Sequence, residues 1–191
     1  MSRWASLIVF FFSFQALAAG PAMHSQSVID DTGIDNHGLL SINVGAGELN
    51  QQINARAIAI STESTEARLQ LQQALEMRML DLSQDTQADL LGASFSLSSG
   101  LIGVNQAAGA GNQQINAFRL GVGRQVLDDS VLAQQLVAPA QPSGTTDQPK
   151  GNRIVVTDDK AFAGSRGVVQ LNQSAGVANQ TVNSLSMTVM D

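Results

Sequence analysis

The chain has 191 residues, 43% of them hydrophobic and 14% charged, with a net charge of −6 and no cysteine. That length fits one domain or a small domain with appendages, and the missing cysteine excludes thiol chemistry, disulfides and cysteine-based metal sites. The single Trp and four of the seven Phe lie within the first fourteen residues, so the remainder lacks the aromatic payload of a conventional enzyme core, and its scattered Lys and Arg argue against a nucleic-acid partner.

In chain order, residues 1–18 read as a secretory signal peptide. Arg3 supplies a short positive start, Leu7 to Leu17 an apolar run broken by Ser13 and Gln15, and Ala16-Leu17-Ala18 a small-x-small cleavage pattern. The run falls short of the ~20 residues of a membrane span, and no later segment could cross a bilayer as a helix. A mature chain starting near Ala19, in the periplasm or outside the cell, is expected. Residues 19–37 are expected to form a flexible segment. His24, Asp30, Asp31, Asp35 and His37 could in principle collect a metal, but their spacing fits no ligand motif and no metal site is assigned. Asp31-Thr32-Gly33 matches the aspartic-protease triplet; it occurs once and reads as a turn.

The dominant signal is a 23-residue unit present in three gapless copies, at 38–60, 100–122 and 167–189. Each copy reads Gly, two apolar residues, any, apolar, Asn, two variable, Ala-Gly, two variable, Asn-Gln, any, apolar, Asn. Nine of the eleven asparagines fall in three columns: Asn43, Asn105 and Asn172; Asn50, Asn112 and Asn179; Asn54, Asn116 and Asn183. A glutamine column, Gln51, Gln113 and Gln180, accompanies them. Leu40, Ile42 and Val44 alternate with Ser41 and Asn43, the period of a strand. The pairs Ala46-Gly47, Ala108-Gly109 and Ala175-Gly176 mark a corner, where glycine permits tight backbone angles. A change of phase suggests a second corner at Asn54-Ala55. Units of this kind stack about 4.8 Å apart as rungs, and the Asn and Gln columns then suit continuous amide ladders. The expected class is therefore mainly β, a three-rung β-solenoid or cross-β repeat stack. Its ends would present open strand edges. A closed, capped solenoid is the alternative.

The first linker, 61–99, is expected to be helical. Glu66 to Leu82 is rich in helix formers, with Ala67, Leu71, Ala74, Leu75, Arg78, Met79 and Leu82 on one face and Ser61 to Ser64 as candidate caps. In the second linker, 123–166, Val126 to Leu136 suggests a short helix. Pro139 stops it, the Pro- and Gly-rich middle from Pro142 to Pro149 reads as disordered, and Arg153 to Val156 as an extra strand. Phe95 and Phe162 stand five residues before Gly100 and Gly167, with Gly33 in the corresponding place, which hints that the repeat extends upstream. Gly121-Val122-Gly123 lacks the later glycine of a dinucleotide loop. The sequon matches at Asn172 and Asn179 fall on ladder positions. No catalytic constellation, cofactor site or small-molecule site emerges, and an enzyme is not expected.

The copies, centred on Asn43-x-x-Ala46-Gly47-x-x-Asn50-Gln51-x-x-Asn54, resemble the repeats of the Fap functional amyloids of Pseudomonas, and more distantly those of curlin. The resemblance covers most of the mature chain. It implies a biofilm amyloid whose repeats form the fibre core and whose partners are itself or related subunits. It also implies passage through the periplasm to the cell surface by a dedicated outer-membrane pore, and core ladder roles for Asn43, Gln51, Asn54 and their counterparts. Fibre subunits of that family usually carry a C-terminal Cys-x-x-Cys, absent here. That departure points to a minor, nucleating or adhesin-like subunit, or to a periplasmic chaperone-like accessory protein that restrains fibrillation.

Overall fold

The computed structural model describes residues 7–8, 24–62, 64–65, 67–76, 83–123, 125–126, 131–138 and 151–190. The first tier contains β2 (His24–Asp30), β3 (His37–Ala46), β4 (Gln51–Ile60), β5 (Ser64–Thr65) and β6 (Leu69–Glu76), with the short β1 (Leu7–Ile8) beside β6. The second repeats the pattern as β7 (Asp85–Leu91), β8 (Ser99–Ala108), β9 (Gln113–Val122), β10 (Gln125–Val126) and β11 (Val131–Ala138). The third holds β12 (Arg153–Thr157), β13 (Arg166–Ala175) and β14 (Gln180–Val189).

Apart from β1, which pairs with the outer edge of β6, every strand pairs in parallel with its equivalent in the next tier. The sheet orders are β12-β7-β2, β13-β8-β3, β14-β9-β4, β11-β6-β1 and β10-β5. Tier 2 is thus the filling of a sandwich along the stacking axis. Its strand β8 is buried from Leu101 to Ala108, whereas β3 and β14 alternate between half-buried and exposed positions. The register is fixed by identity: Gly38, Gly100 and Gly167 align, as do Gln51, Gln113 and Gln180.

Across the stacking axis the sheets lie face to face, and strand alternation assigns each face a chemistry. Leu40, Ile42 and Val44 of β3, with Ile102 and Val104 of β8, face the β2 sheet and pack with Ile29, Leu90 and Phe95. On the other side, Ile53 and Ala55 of β4 and Ile115 and Ala117 of β9 pack against Leu69 and Leu71 of β6. The ring of Phe95 stacks on Phe162 with centroids 5.2 Å apart. In tier 1 the matching place is Gly33, where an added Cβ would come within 2.7 Å of the Phe95 ring. A glycine there leaves the room that the neighbouring phenyl ring occupies.

Four expectations from the sequence need correction. There is no helix among the described residues. Within the predicted helix Glu66 to Leu82, β6 is a strand in which Leu69, Leu71, Gln73 and Leu75 are buried and Gln70, Gln72 and Ala74 exposed. Helix propensity is a weak prior, and here the pairing of β6 with β11 along its whole length overrides it. The predicted helix Val126 to Leu136 fails for the same reason, since β11 runs Val131–Ala138; residues 127–130 and 139–150 lie outside the described residues. The expected corner at Asn54-Ala55 is absent: β4 runs straight from Gln51 to Ile60, and the change of phase reflects its two differently lined faces. The stretch 19–37, expected to be flexible, contains β2, paired to β7 with Ser25, Ser27 and Ile29 buried in alternation. The strand expected at Arg153 to Val156 lies in β12. Of the segment expected to be a signal peptide only Leu7–Ile8 is described.

The alternation in β6 predicts an inverted response to the one a helix would give. Leu69→Ala, off the helical stripe and 2% exposed, should cost about 2–5 kcal/mol, while Ala74→Lys, on that stripe and exposed, should stay within about 0.5 kcal/mol. Urea denaturation of both variants checks this, and a greater loss at Ala74 than at Leu69 would contradict the strand.

Candidate functional site

Between the β3 and β4 sheets the interior is polar. Asn43 of β3 and Gln52, Asn54 and Arg56 of β4 bond across it, so this interface is zipped by side-chain amides between two apolar ones. The turn that folds β3 back over β4 begins at Gly47, Gly109 and Gly176, all with positive φ. A Cβ on Gly47 would come within 2.2 Å of the Gly109 carbonyl oxygen, and one on Gly109 within 2.0 Å of that of Gly176. The stacked turns therefore exclude any side chain at this column. Ala46, Ala108 and Ala175 close the strands just before it.

The structure brings the asparagines of each column together. Asn105 Nδ2 donates to Asn43 Oδ1 at 3.0 Å and Asn172 Nδ2 to Asn105 Oδ1 at 3.0 Å. Asn116 donates to Asn54 Oδ1 at 2.9 Å and Asn183 to Asn116 Oδ1 at 3.2 Å. In the turn, Asn112 donates to Asn50 Oδ1 at 2.9 Å and Asn179 to Asn112 Oδ1 at 2.8 Å. The first two columns are also linked within each tier: Asn54, Asn116 and Asn183 donate to Asn43, Asn105 and Asn172 at 2.8, 3.0 and 2.8 Å. They also donate to the carbonyls of Ile42, Val104 and Leu171. Gln113 Nε2 donates to Gln51 Oε1 at 2.9 Å. Gln180 aligns with Gln113 in β14 and is exposed.

Burial makes these bonds consequential. Asn105, Asn112, Gln113 and Gln114 are 0% exposed and Asn116 is 1% exposed. An amide taken out of water without a partner costs about 1–3 kcal/mol, so each amide needs a matching one above and below. The sequence reading missed further amides of the same kind. Gln106 reaches the carbonyls of Ser27 and Asp89 on the β2 side, and Gln173 donates to Gln106 Oε1 at 3.0 Å. Gln52 donates to Gln114 Oε1 at 2.9 Å, and Gln114 to Ser174 Oγ at 3.0 Å. The recurrence of Gln at 106 and 173, and at 52 and 114, was the available signal; Val44 and Thr181 break each column in the remaining copy. Arg56 shares its column with Phe118 and Leu185 and donates to the Leu40 carbonyl. Burial pushes its guanidinium below the ordinary value.

The residues weighed for metal or protease chemistry do not converge. Asp31 Oδ1 accepts from the Ala93 amide at 2.7 Å, and His37 contacts Ser99 Oγ at 2.6 Å and Asp35 at 3.4 Å. Among the described residues no three His, Asp or Glu side chains gather at one point. What the arrangement offers instead is its two ends. Among the described residues no strand lies beyond β2, β3 and β4 on one side or beyond β12, β13 and β14 on the other. On the tier-3 end an open groove of about 560 Å³ lies between β13 and β14, lined by Val168, Gln170, Leu171, Val182, Asn183 and Leu185 among others.

The model of the functional amyloid protein FapB/FapC family matches residues 14–190. No solved structure matches the chain.

The ladder geometry ranks the asparagines. Asn116→Leu strips amide bonds in both stacking directions and should cost about 2–4 kcal/mol, more than Asn54→Leu or Asn183→Leu at the outer tiers. Chemical denaturation of the three variants tests the ranking, and equal losses would remove the argument for a tier-to-tier ladder.

Proposed function

Because the chain belongs to the FapB/FapC functional amyloid family, we propose that it is a secreted fibre subunit of the biofilm matrix, of the minor, nucleating or adhesin-like kind. In this reading the three tiers are rungs of a β-solenoid, and the same rungs continue from one chain to the next. The observation that carries it is the pairing of identical side-chain amides across parallel strands, with the outer edges of β2, β3 and β4 at one end and of β12, β13 and β14 at the other left open among the described residues. A parallel edge is a template for another strand. A column of Asn on Asn gains a bond with every tier added, which is the stabilising pattern of cross-β stacks. The ladder residues would then be the fibre core, and the turn glycines the positions that let rungs approach. The route implied by the family resemblance runs through the periplasm and an outer-membrane pore to the cell surface.

The alternative role, a periplasmic chaperone-like protein that caps related subunits, rests on the absent cysteines and on a helical linker over Glu66 to Leu82. With β6 in that stretch paired along the stack, the linker extends the strand array instead of guarding it. The fibre reading is favoured on that ground.

The test uses residues 19–191 incubated alone at neutral pH. Self-seeding growth followed by thioflavin T, with fibre reflections near about 4.7 and about 10 Å, is the expected result. A chain that stays soluble and instead delays the fibrillation of a related subunit would favour the chaperone role. Replacing Asn54, Asn116 and Asn183 together by Leu should abolish growth; fibres that grow unchanged would sink the ladder account.

A further inference from the structure

The two open ends of the stack are chemically different, and we propose that chains join in one polarity only, with tier 1 of an incoming chain seated on tier 3 of the one before. This rests on the fibre-subunit reading and adds to it the identity and orientation of the contact.

The first argument is the direction of the asparagine columns, which outnumber the one glutamine column, Gln52 to Gln114, that runs the other way. In all three asparagine columns the upper tier donates and the lower accepts: tier 3 to tier 2, and tier 2 to tier 1. The next link on the tier-3 end is therefore an Nδ2 donor placed over Asn179 and Asn183 Oδ1. Asn50 and Asn54 of an incoming tier 1 supply it at the same columns. Two tier-3 ends brought together would set acceptor against acceptor.

The second argument is strand direction. All pairings within the chain are parallel and in register. A tier 1 on tier 3 keeps both properties: Gly38 meets Gly167, Asn43 meets Asn172, and Ile53 and Asn54 come over Val182 and Asn183 in the open groove. A two-fold contact of like ends would pair the strands antiparallel and place unlike residues opposite one another.

Charge supplies the third. The described part of tier 1 carries Asp30, Asp31, Asp35, Glu48 and Glu76 against Arg56 and Arg68, whereas tier 3 carries Arg153, Lys160 and Arg166 against Asp158 and Asp159. Opposite ends attract and like tier-1 ends repel. At closest approach, His37 shares the column of Arg166 through Ser99, so the incoming Asp35, 3.4 Å from His37, would be carried to the Arg166 guanidinium.

The test blocks one end at a time. The backbone bonds at the strand ends fix which amides point outward. In β3 the carbonyls of Asn36 and Ala46 face tier 2, and in β4 the amides of Gln51 and Ser61 do, so Leu39 and Ile58 direct their N–H groups away from the stack. By the same alternation, with Arg166 and Gly176 bonded to tier 2 in β13 and the carbonyls of Asn179 and Val189 in β14, Val169 and Val182 point outward at the other end. Leu39→Pro with Ile58→Pro closes the tier-1 end, and Val169→Pro with Val182→Pro closes the tier-3 end, since proline at an outward edge position costs no bond within the chain. Retention of the β circular dichroism spectrum is checked first. Should either proline pair unfold the chain, lysine at the same four positions blocks the edges instead.

In analytical ultracentrifugation, each blocked protein alone should be monomeric and an equimolar mixture should give a 1:1 dimer and nothing longer. Dimers from either blocked protein alone, in a chain whose wild type forms fibres, would overturn the polarity and leave the fibre reading standing. A monomeric mixture beside fibre-forming wild type would overturn the tier-1-on-tier-3 contact. Wild type that forms no fibres, with a monomeric mixture, would overturn the fibre reading itself and the polarity with it.

Discussion

A side-chain amide buried between two sheets is stable only if both its donor and its acceptor find partners, and in this protein the partner is the same amide one tier away. That condition shapes the rest of the molecule. It requires parallel pairing, because only parallel strands in register stack a residue on its equivalent. It requires turns that superimpose, hence the glycine column at 47, 109 and 176, where a Cβ on Gly47 or Gly109 would strike the next carbonyl. And it requires straight strands on either side of the turn, so that Asn43 and Asn54, eleven residues apart, still meet across the polar interface.

The apolar contacts are arranged around that polar seam. One cluster closes the outer face of β3 with Ile29, Leu90 and Phe95; the other closes the outer face of β4 with Leu69 and Leu71. Both use aliphatic columns with few aromatic rings, which explains how a chain so poor in aromatics can bury a core. Hydrophobic burial supplies the larger driving force, but a slip of two residues keeps the apolar side chains on the apolar face. The amides do not tolerate it: the same slip takes every Asn of the seam off its equivalent in the next tier. Stability and specificity are thus divided between different side chains of the same strands.

Much of this was legible in the sequence because the fold writes it in identities. Three asparagine columns, a glutamine column and the turn glycine recur at fixed spacing, and the strand alternation of Leu40, Ile42 and Val44 is plain. The fourth sheet was not legible, although its signal was present. Leu69, Leu71 and Leu75 alternate with glutamines, yet Gln, Glu, Ala and Leu are all good helix formers, and the helical stripe through Ala67, Leu71, Ala74 and Leu75 was equally easy to draw. Pairing with β11, distant in sequence, decides between them, and no local pattern contains that pairing. The corner expected at Asn54-Ala55 was misplaced for a related reason. A strand with a polar face and an apolar face changes what its alternation looks like wherever the lining changes, as it does from Ile53 and Ala55 to Ile58 and Ile60.

The near-confinement of asparagine to the three columns, nine of eleven residues, makes one isotope label almost a direct probe of the seam. Solid-state NMR on chain labelled only at the asparagine 13Cγ would report carbon–carbon dipolar couplings between neighbouring amides. Parallel tiers predict strong dephasing for most of the label, corresponding to a separation of about 4.8 Å. Couplings that place the asparagine carbons beyond about 6 Å of one another, outside the spacing of adjacent β-strands, would contradict the ladder and the register that depends on it.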